Sequence, residues 1–414
     1  KKDDLQTKEF LNAISGTLIF TLFIFTLVVL TFAPIFIFLF APGFYFDPIK
    51  QDISVQVLRI MFPYLALISL VALAGGIQNT HQKFSLPALT PVIFNLSLIV
   101  AALFIAPKYD MPIYVLAWSV LLAGLLQLVI QIAPLRSIKR LPTPKINFKN
   151  KGIKKFFVVI FPAILAGGII QINLLVDTIF ASLLETGSPT WLYVSDRLVQ
   201  FPLGIFAIAI GTVLLPTLSK LDVIKERTTF NNTIKKGQKF VLFIGIPSLI
   251  GLMFCAEDLI STIFYRGAFT EEDVSKSSLS LIAFSIGLPF FMLMKVLTPA
   301  FFARKDTKTP MYVAIISLIL NASLNYLLAF VLNFGHVGIA IGSSIAALIS
   351  VLILEVILYK DGFIKIQGVI NRFNIMILFS SIALIIFLYF FTSNTNFMNF
   401  NQPQRLLFLV IEIT

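Results

Sequence analysis

The chain has 414 residues, of which 58% are hydrophobic and 13% charged, with a mean hydropathy of +0.94. That balance excludes a soluble fold of this length and describes a polytopic membrane protein. The net charge of +12 would suggest nucleic acid in a soluble protein, but here its source is a bias among the loops; the one cysteine, Cys255, excludes an internal disulfide.

Apolar spans fall at about 11–40, 57–78, 86–106, 112–133, 156–184, 190–219, 240–265, 277–303, 310–333, 336–359 and 372–392, and a twelfth starts near 405. The runs are continuous, not alternating, so helices are preferred to a barrel. Of the 32 Lys and Arg, 24 lie on one set of alternate connections and 6 on the other; Arg197 and Lys295 lie within spans. The positive-inside rule puts the larger set in the cytoplasm. The segment before residue 11 is then cytoplasmic and the turn 185–189 faces outward. Lys1 is not an initiator, and the chain stops at Thr414 inside an apolar run, so both ends are read as cut.

Residues 75–98 (GGIQNTHQKFSLPALTPVIFNLSL) echo residues 298–325 (TPAFFARKDTKTPMYVAIISLILNASLN). Each is the end of a span, a short basic turn, a Pro and a new span carrying Asn. The basic connection 136–155 divides the copies. The expected architecture is an all-α, two-lobe helical bundle with an internal repeat and an extra C-terminal helix pair. Its parts are an N-lobe over 1–135, a basic cytoplasmic linker over 136–155, a C-lobe of six helices over 156–360, and the pair over 361–414. Four helices stand in the N-lobe where the repeat calls for six.

The most informative stretch is 187–220, GSPTWLYVSDRLVQFPLGIFAIAIGTVLLPTLSK. Arg197 lies about 10 Å inside a span, where an uncompensated charge costs at least about 2.5 kcal/mol. Either it snorkels to the near interface with Asp196 as counter-ion, or it faces a water-filled cavity and meets an anionic substrate. Pro202 and Gly204 follow, where a helix can kink. Asp177 lies deep in the span 156–184 and must be protonated, paired or coordinating a cation. Asn321 and Asn325 are spaced i, i+4 and share a helix face. With Ser343 or Ser344 these make a hard-oxygen set suited to Na⁺; the alternative is ordinary hydrogen bonding between helices. Lys295, in mid-span, either pairs with Asp177 or Glu355 or adds a second cation to a cavity.

The remaining polar residues carry bland readings. Glu355 is near a cytoplasmic end and interfacial. His81 is a loop residue, His336 a cap or interface residue, and Arg59 a snorkelling side chain. Glu271, Glu272 and Asp273 cap a helix start. No other metal cluster, phosphate-cradling loop, GxSxG or HExxH is present. A membrane-bound cell-wall transferase is the competing reading from another class, and two histidines on opposite faces speak against it.

DTIFASLL (177–184), the stretch 187–220, NTHQKFSLPALTPVIFNLSLI (79–99), APGF (41–44), KINF (145–148) and KVLTPAFFARKDTKTP (295–310) occur in family order across nearly the whole chain. In them the chain resembles the MurJ-type lipid II flippases, the MVF family of the multidrug/oligosaccharidyl-lipid/polysaccharide exporter superfamily. The resemblance implies fourteen helices, of which the first two are absent here. It implies a monomer in the bacterial inner membrane. By alternating access and without nucleotide hydrolysis, such a protein moves undecaprenyl-pyrophosphate-linked lipid II from the inner to the outer leaflet. Arg197 matches a cationic cavity residue, with Asp196 beside it and Lys295 as a further candidate; the terminal pair would carry the polyprenyl chain. No prosthetic group is implied. Sodium coupling is implied for some members, and Asp177, Asn321 and Asn325 match that region, but other members have Asn in place of Asp177. The family's other cavity arginines lie on the two absent helices, so the chain reads as a fragment, with a decayed gene as the alternative. A sister exporter of polysaccharide-lipid or drugs is the runner-up within transport.

Overall fold

The computed structural model describes residues 2–147, 151–221, 225–363, 372–392 and 400–413. Among these residues the chain is helical and contains no strand, and ten helices are long and apolar enough to cross a membrane. The chain divides into two compact units, Lys1–Leu165 and Ala166–Thr414. The motif KINF ends on Phe148, and Lys149 and Lys365 of the basic loops also lie outside the described residues.

The first unit begins with α1 (Lys2–Thr31), which starts well before the expected span at 11. The expected span 11–40 is not one helix. Phe32 breaks it, and α2 (Ala33–Phe40) resumes with Pro34, which has no N–H to continue the ladder. A single turn, α3 (Pro42–Tyr45), and α4 (Pro48–Met61) follow; Asp47 caps α4 by accepting from the amides of Ile49 and Lys50. The span expected at 57–78 thus starts nine residues earlier, at Pro48. It bends at Phe62 and Pro63 before α5 (Tyr64–Thr80). Arg59 does more than snorkel: its Nε donates to the carbonyl of Leu30 at 3.1 Å, beside the break at Phe32. Then come α6 (Ser85–Val100), a π-helical turn at Ala101–Ile105, and α7 (Pro112–Ser137). α8 (Lys151–Ser182) starts in this unit and continues into the second.

The second unit adds α9 (Ser188–Pro202), α10 (Ala209–Ser219), α11 (Arg227–Phe254), α12 (Ala256–Phe264), α13 (Glu271–Ala303), α14 (Lys308–Asn325) and α15 (Gly335–Lys360). α16 (Arg372–Thr392) and α17 (Gln402–Ile413) complete the chain. The span expected at 240–265 begins at Arg227 and breaks at Cys255. α13 is the axis of this unit. Leu281, Leu288, Met292 and Leu297 on it are fully buried, together with Phe230 and Ile234 of α11 and Ile339 and Leu354 of α15. As read from the sequence, Asp273 caps α13, forming a capping box with Thr270.

The repeat extends far beyond 75–98 and 298–325. Phe32 and Cys255 break their helices with nearly the same backbone angles (φ −101, ψ 25 and φ −95, ψ 18). Asp47 and Thr270 are side-chain N-caps of the next long helices. Gln82 and Lys305 take left-handed φ of 58° and 61° in the following basic turns, and Lys139 and Gly362 do so at 56° and 73°. Each pair is separated by the same interval, 223 residues (305 minus 82). The register from α1 to the end of α7 is therefore kept without a gap from α11 to the end of α15. A non-glycine residue held left-handed costs roughly 1–2 kcal/mol. Lys139→Gly, which copies Gly362, should stabilise the protein by about 0.5–1 kcal/mol, read as a higher midpoint of thermal unfolding; an unchanged or lower midpoint would show that the turn at Lys139 carries no such strain.

Candidate functional site

The sequence-predicted residues Asp177, Asn321, Asn325 and Ser343 meet in the second unit. Three helices bring them together. α15 carries Gly338 and Gly342, a small-xxx-small pair that permits close backbone approach in a bilayer. A Cβ at Gly338 would stand 2.7 Å from the backbone of Leu328 and Ala329, in the π-helical turn Tyr326–Val331 that follows α14. A Cβ at Gly342 would collide with Asn325 Oδ1. α15 therefore presses directly on the end of α14. Asn321 and Asn325 lie there on one face, 1% and 0% exposed.

Their polar atoms form one chain. Asn325 Nδ2 donates to Asp177 Oδ1 on α8 at 2.7 Å and to Asn321 Oδ1 at 2.6 Å. Asn321 Nδ2 donates to Ser343 Oγ on α15 at 2.9 Å. Asn325 Oδ1 is buried without a hydrogen-bond partner. Ser344 is not part of the chain; its Oγ donates to the carbonyl of Ala283 at 2.8 Å. Asp196 on α9 lies within electrostatic reach of both Asp177 and Arg197. It is half-buried and accepts from Gln200 Nε2 at 3.3 Å.

Arg197 is exposed, and its guanidinium stands over the Tyr193 ring, 4.7 Å from the ring centre. No ion pair or hydrogen bond joins it to Asp196 among the described residues. Stacking leaves the guanidinium edge, with its fork of N–H donors, open to an anion. Past Pro202, α9 widens into a π-helical turn at Leu203–Ile208, in line with the kink read from Pro202 and Gly204. Lys295 is exposed on α13. It pairs with neither expected carboxylate: Asp177 is held by Asn325, and Glu355 accepts from Gln238 Nε2 at 2.9 Å. Glu355 is thus an interhelical bonding group and not merely interfacial.

Other polar groups escaped the sequence reading. His336 is no exposed cap. It is 4% exposed, with Nδ1 2.6 Å from Ser280 Oγ and its ring edge-on to Trp191 at 4.9 Å. Trp191 Nε1 donates to Asp273 Oδ1 at 2.7 Å, so the capping residue of α13 also ties α9. At the other end of α13, Arg304 Nη2 pairs with Asp361 Oδ2 at 2.6 Å, and Arg227 donates to the Asp361 carbonyl. Both guanidiniums lie over the Phe363 ring. The signal for these contacts was present only as single residues far apart in the sequence. His81 closes α5 in its turn, with Nδ1 3.0 Å from the Ile77 carbonyl.

A family model described as "Lipid II flippase MurJ" matches residues 1–408. A "Probable lipid II flippase MurJ" of Vibrio cholerae is 39% identical over 364 residues, covering 86% of this chain and 69% of the relative. A "Lipid II flippase MurJ" of Burkholderia cenocepacia is 35% identical over 360 residues, covering 86% and 69%. A "Probable lipid II flippase MurJ" of Buchnera aphidicola subsp. Acyrthosiphon pisum is 35% identical over 388 residues, covering 94% and 76%. Among solved structures, "Lipid II flippase MurJ, inward closed conformation" has a TM-score of 0.80 at 28% identity, covering 98% of this chain and 81% of that one. An inward-facing multidrug transporter of the MATE family and MOP superfamily has a TM-score of 0.66 at 12% identity, covering 85% and 81%; that likeness shows the fold alone. Because the family match runs along nearly the whole chain and not along one shared segment, the chain belongs to the MurJ family of lipid II flippases.

Proposed function

We propose that this chain moves lipid II from the inner to the outer leaflet of the bacterial cytoplasmic membrane, as a multi-pass transporter and not an enzyme. The observation that carries this reading is the family match over residues 1–408. The ten apolar helices agree with a multi-pass place in that membrane. The relatives named above are flippases and not transferases, and the multidrug reading has only a shared fold.

Within this function, Arg197 is the residue that meets the pyrophosphate. Its guanidinium is exposed inside an apolar span and stacked on Tyr193, with its donor edge free. Lys295 adds a second exposed cation and Asp196 sets the field beside Arg197. The chain acts as a monomer, with both repeats on one polypeptide. It opens to each leaflet in turn, and α16 and α17 serve the polyprenyl tail.

Sodium is the coupling ion in this reading. The residues that would hold it are Asp177, Asn321, Asn325 and Ser343. The donor chemistry fits: one carboxylate, two carboxamide oxygens and a hydroxyl are hard oxygen ligands. The buried, unpartnered Oδ1 of Asn325 is a ligand atom in need of a partner. A bound Na⁺ would supply charge compensation for Asp177. Asp196, within electrostatic reach of Asp177 and Arg197, would let the ion and the substrate sense each other.

Two experiments test these roles. Arg197→Ala should abolish rescue of cells depleted of their lipid II flippase while leaving membrane expression normal, and Arg197→Lys should fail as well, because an ammonium cannot restore bidentate contact with pyrophosphate; normal growth of the alanine variant would remove Arg197 from the substrate path. For the ion, the thermal unfolding midpoint should rise with Na⁺ but not with K⁺ at equal ionic strength, by about 2.7 kcal/mol of stabilisation at one hundred times Kd. Asp177→Asn should lose that shift, and keeping it would take Asp177 out of the site.

A further inference from the structure

α9 (Ser188–Pro202) leaves one face open. Its exposed residues are Thr190, Tyr193, Arg197, Gln200 and Phe201, which form a single stripe at helical spacing. The opposite face is buried in the second unit through Trp191, Leu192, Val194, Ser195 and Val199. None of the five exposed residues is aliphatic, whereas a face turned to lipid carries mainly aliphatic side chains. Beyond Pro202 the same span does turn such side chains outward, at Ile205, Ile208 and Val213.

Arg197 fixes what the stripe faces. A guanidinium inside a span is too costly to turn to hydrocarbon, so its face borders water or a polar ligand. Tyr193 and Phe201 lie one turn to either side of it on that face. The guanidinium stands over the Tyr193 ring, 4.7 Å from its centre. Phe201 has no such companion. It is 70% exposed, and no cation or second ring stacks on it among the described residues. It follows Ser188 by 13 residues (201 minus 188), about 20 Å along the axis, near the middle of a hydrocarbon core about 30 Å thick. A phenyl ring that borders water there forfeits the burial it would gain in lipid or in a core, and a ligand that covers the ring restores it.

We infer that Phe201 is a specificity-determining residue, whose ring stacks on the apolar face of the first sugar of lipid II while Arg197 holds the pyrophosphate. The inference rests on the reading of Arg197 given above. Spacing agrees: four residues set the two side chains about 6 Å apart along the axis, which a phosphate and the pyranose joined to it can bridge. Chemistry agrees too. The C–H bonds on a pyranose face carry partial positive charge, and the face of a phenyl ring is negative. Gln200, exposed in the same stripe, brings a carboxamide to the sugar hydroxyls; its Nε2 reaches Asp196 Oδ1 only at 3.3 Å. A carrier with the pyrophosphate and no sugar makes the Arg197 contact alone, so Phe201 separates a loaded carrier from an empty one.

The test compares lipids on the whole chain in phosphatidylcholine nanodiscs, with affinities read by titration in native mass spectrometry. The lipids are lipid II, undecaprenyl pyrophosphate, and undecaprenyl pyrophosphate bearing one N-acetylhexosamine and no peptide. Phe201→Leu, which keeps bulk but removes the ring, should weaken both sugar-bearing lipids about fivefold and leave undecaprenyl pyrophosphate unchanged. Phe201→Trp should keep the preference for the sugar-bearing lipids. Arg197→Ala should weaken all three. Equal loss for all three lipids in Phe201→Leu, or no loss for any, overturns the inference while leaving Arg197 in place. Loss for lipid II alone would put the ring against the peptide and overturns it as well. If Arg197→Ala alters no affinity, or the unsubstituted chain binds none of the lipids, the reading of Arg197 fails and the inference falls with it. If Phe201→Leu does not fold, Phe201→Met is read in the same way.

Discussion

The Asn325 carboxamide is the interaction on which the centre of the second unit depends. A polar group among membrane-spanning helices has no water to turn to, so it must be satisfied by its neighbours. Asn325 draws donors and acceptors from three helices to one point: Asp177 on α8, Asn321 on its own helix, and through Asn321 the Ser343 hydroxyl on α15. The apolar side chains around it cannot specify this alone, because lipid tails are as apolar as leucine and give no driving force between helices. Close approach of α15 at Gly338 and Gly342 makes the contact short enough to form. The π-helical turn begins at the next residue, Tyr326, and such turns recur where a helix has been adjusted for function.

The repeat explains both the likeness and the difference of the two units. The shared features are backbone ones: breaks at Phe32 and Cys255, N-caps at Asp47 and Thr270, and left-handed residues closing the basic turns. The differences are side-chain ones. The second unit fills its interior along α13 and uses charged and aromatic clasps at both ends, Trp191 with Asp273 at one and Arg227, Arg304 and Asp361 at the other. The first unit instead buries glutamines at 78, 127 and 131.

Arg197 shows how a charge is kept in a span without an ion pair. A tight salt bridge to Asp196 would have neutralised it and occupied its donors. Stacking on Tyr193 spends only the face of the guanidinium, and the half-buried Asp196 acts through its field. The arrangement holds a cation in place while leaving its N–H edge unoccupied by a carboxylate. Asp196 is also within reach of Asp177, so the cationic position and the oxygen-rich chain share one electrostatic neighbourhood.

The sequence by itself determined the helical membrane class, the order of spans, the repeat and the family, because hydropathy, loop charge and ordered motifs are local properties of the chain. It also marked Asp177, Asn321, Asn325, Arg197 and Lys295, since a polar residue in an apolar run is costly enough to stand out. The i, i+4 spacing put both asparagines on one face before any fold was known. Tertiary structure alone decided the partners. That Lys295 has neither Asp177 nor Glu355, that His336 is buried against Ser280 and Trp191, and that Gln131 accepts from Gln78 depend on residues dozens to hundreds of positions apart. Helix breaks at Phe32 and Cys255 were hidden for a related reason: hydropathy runs on unchanged through a bend, and only the backbone angles reveal it.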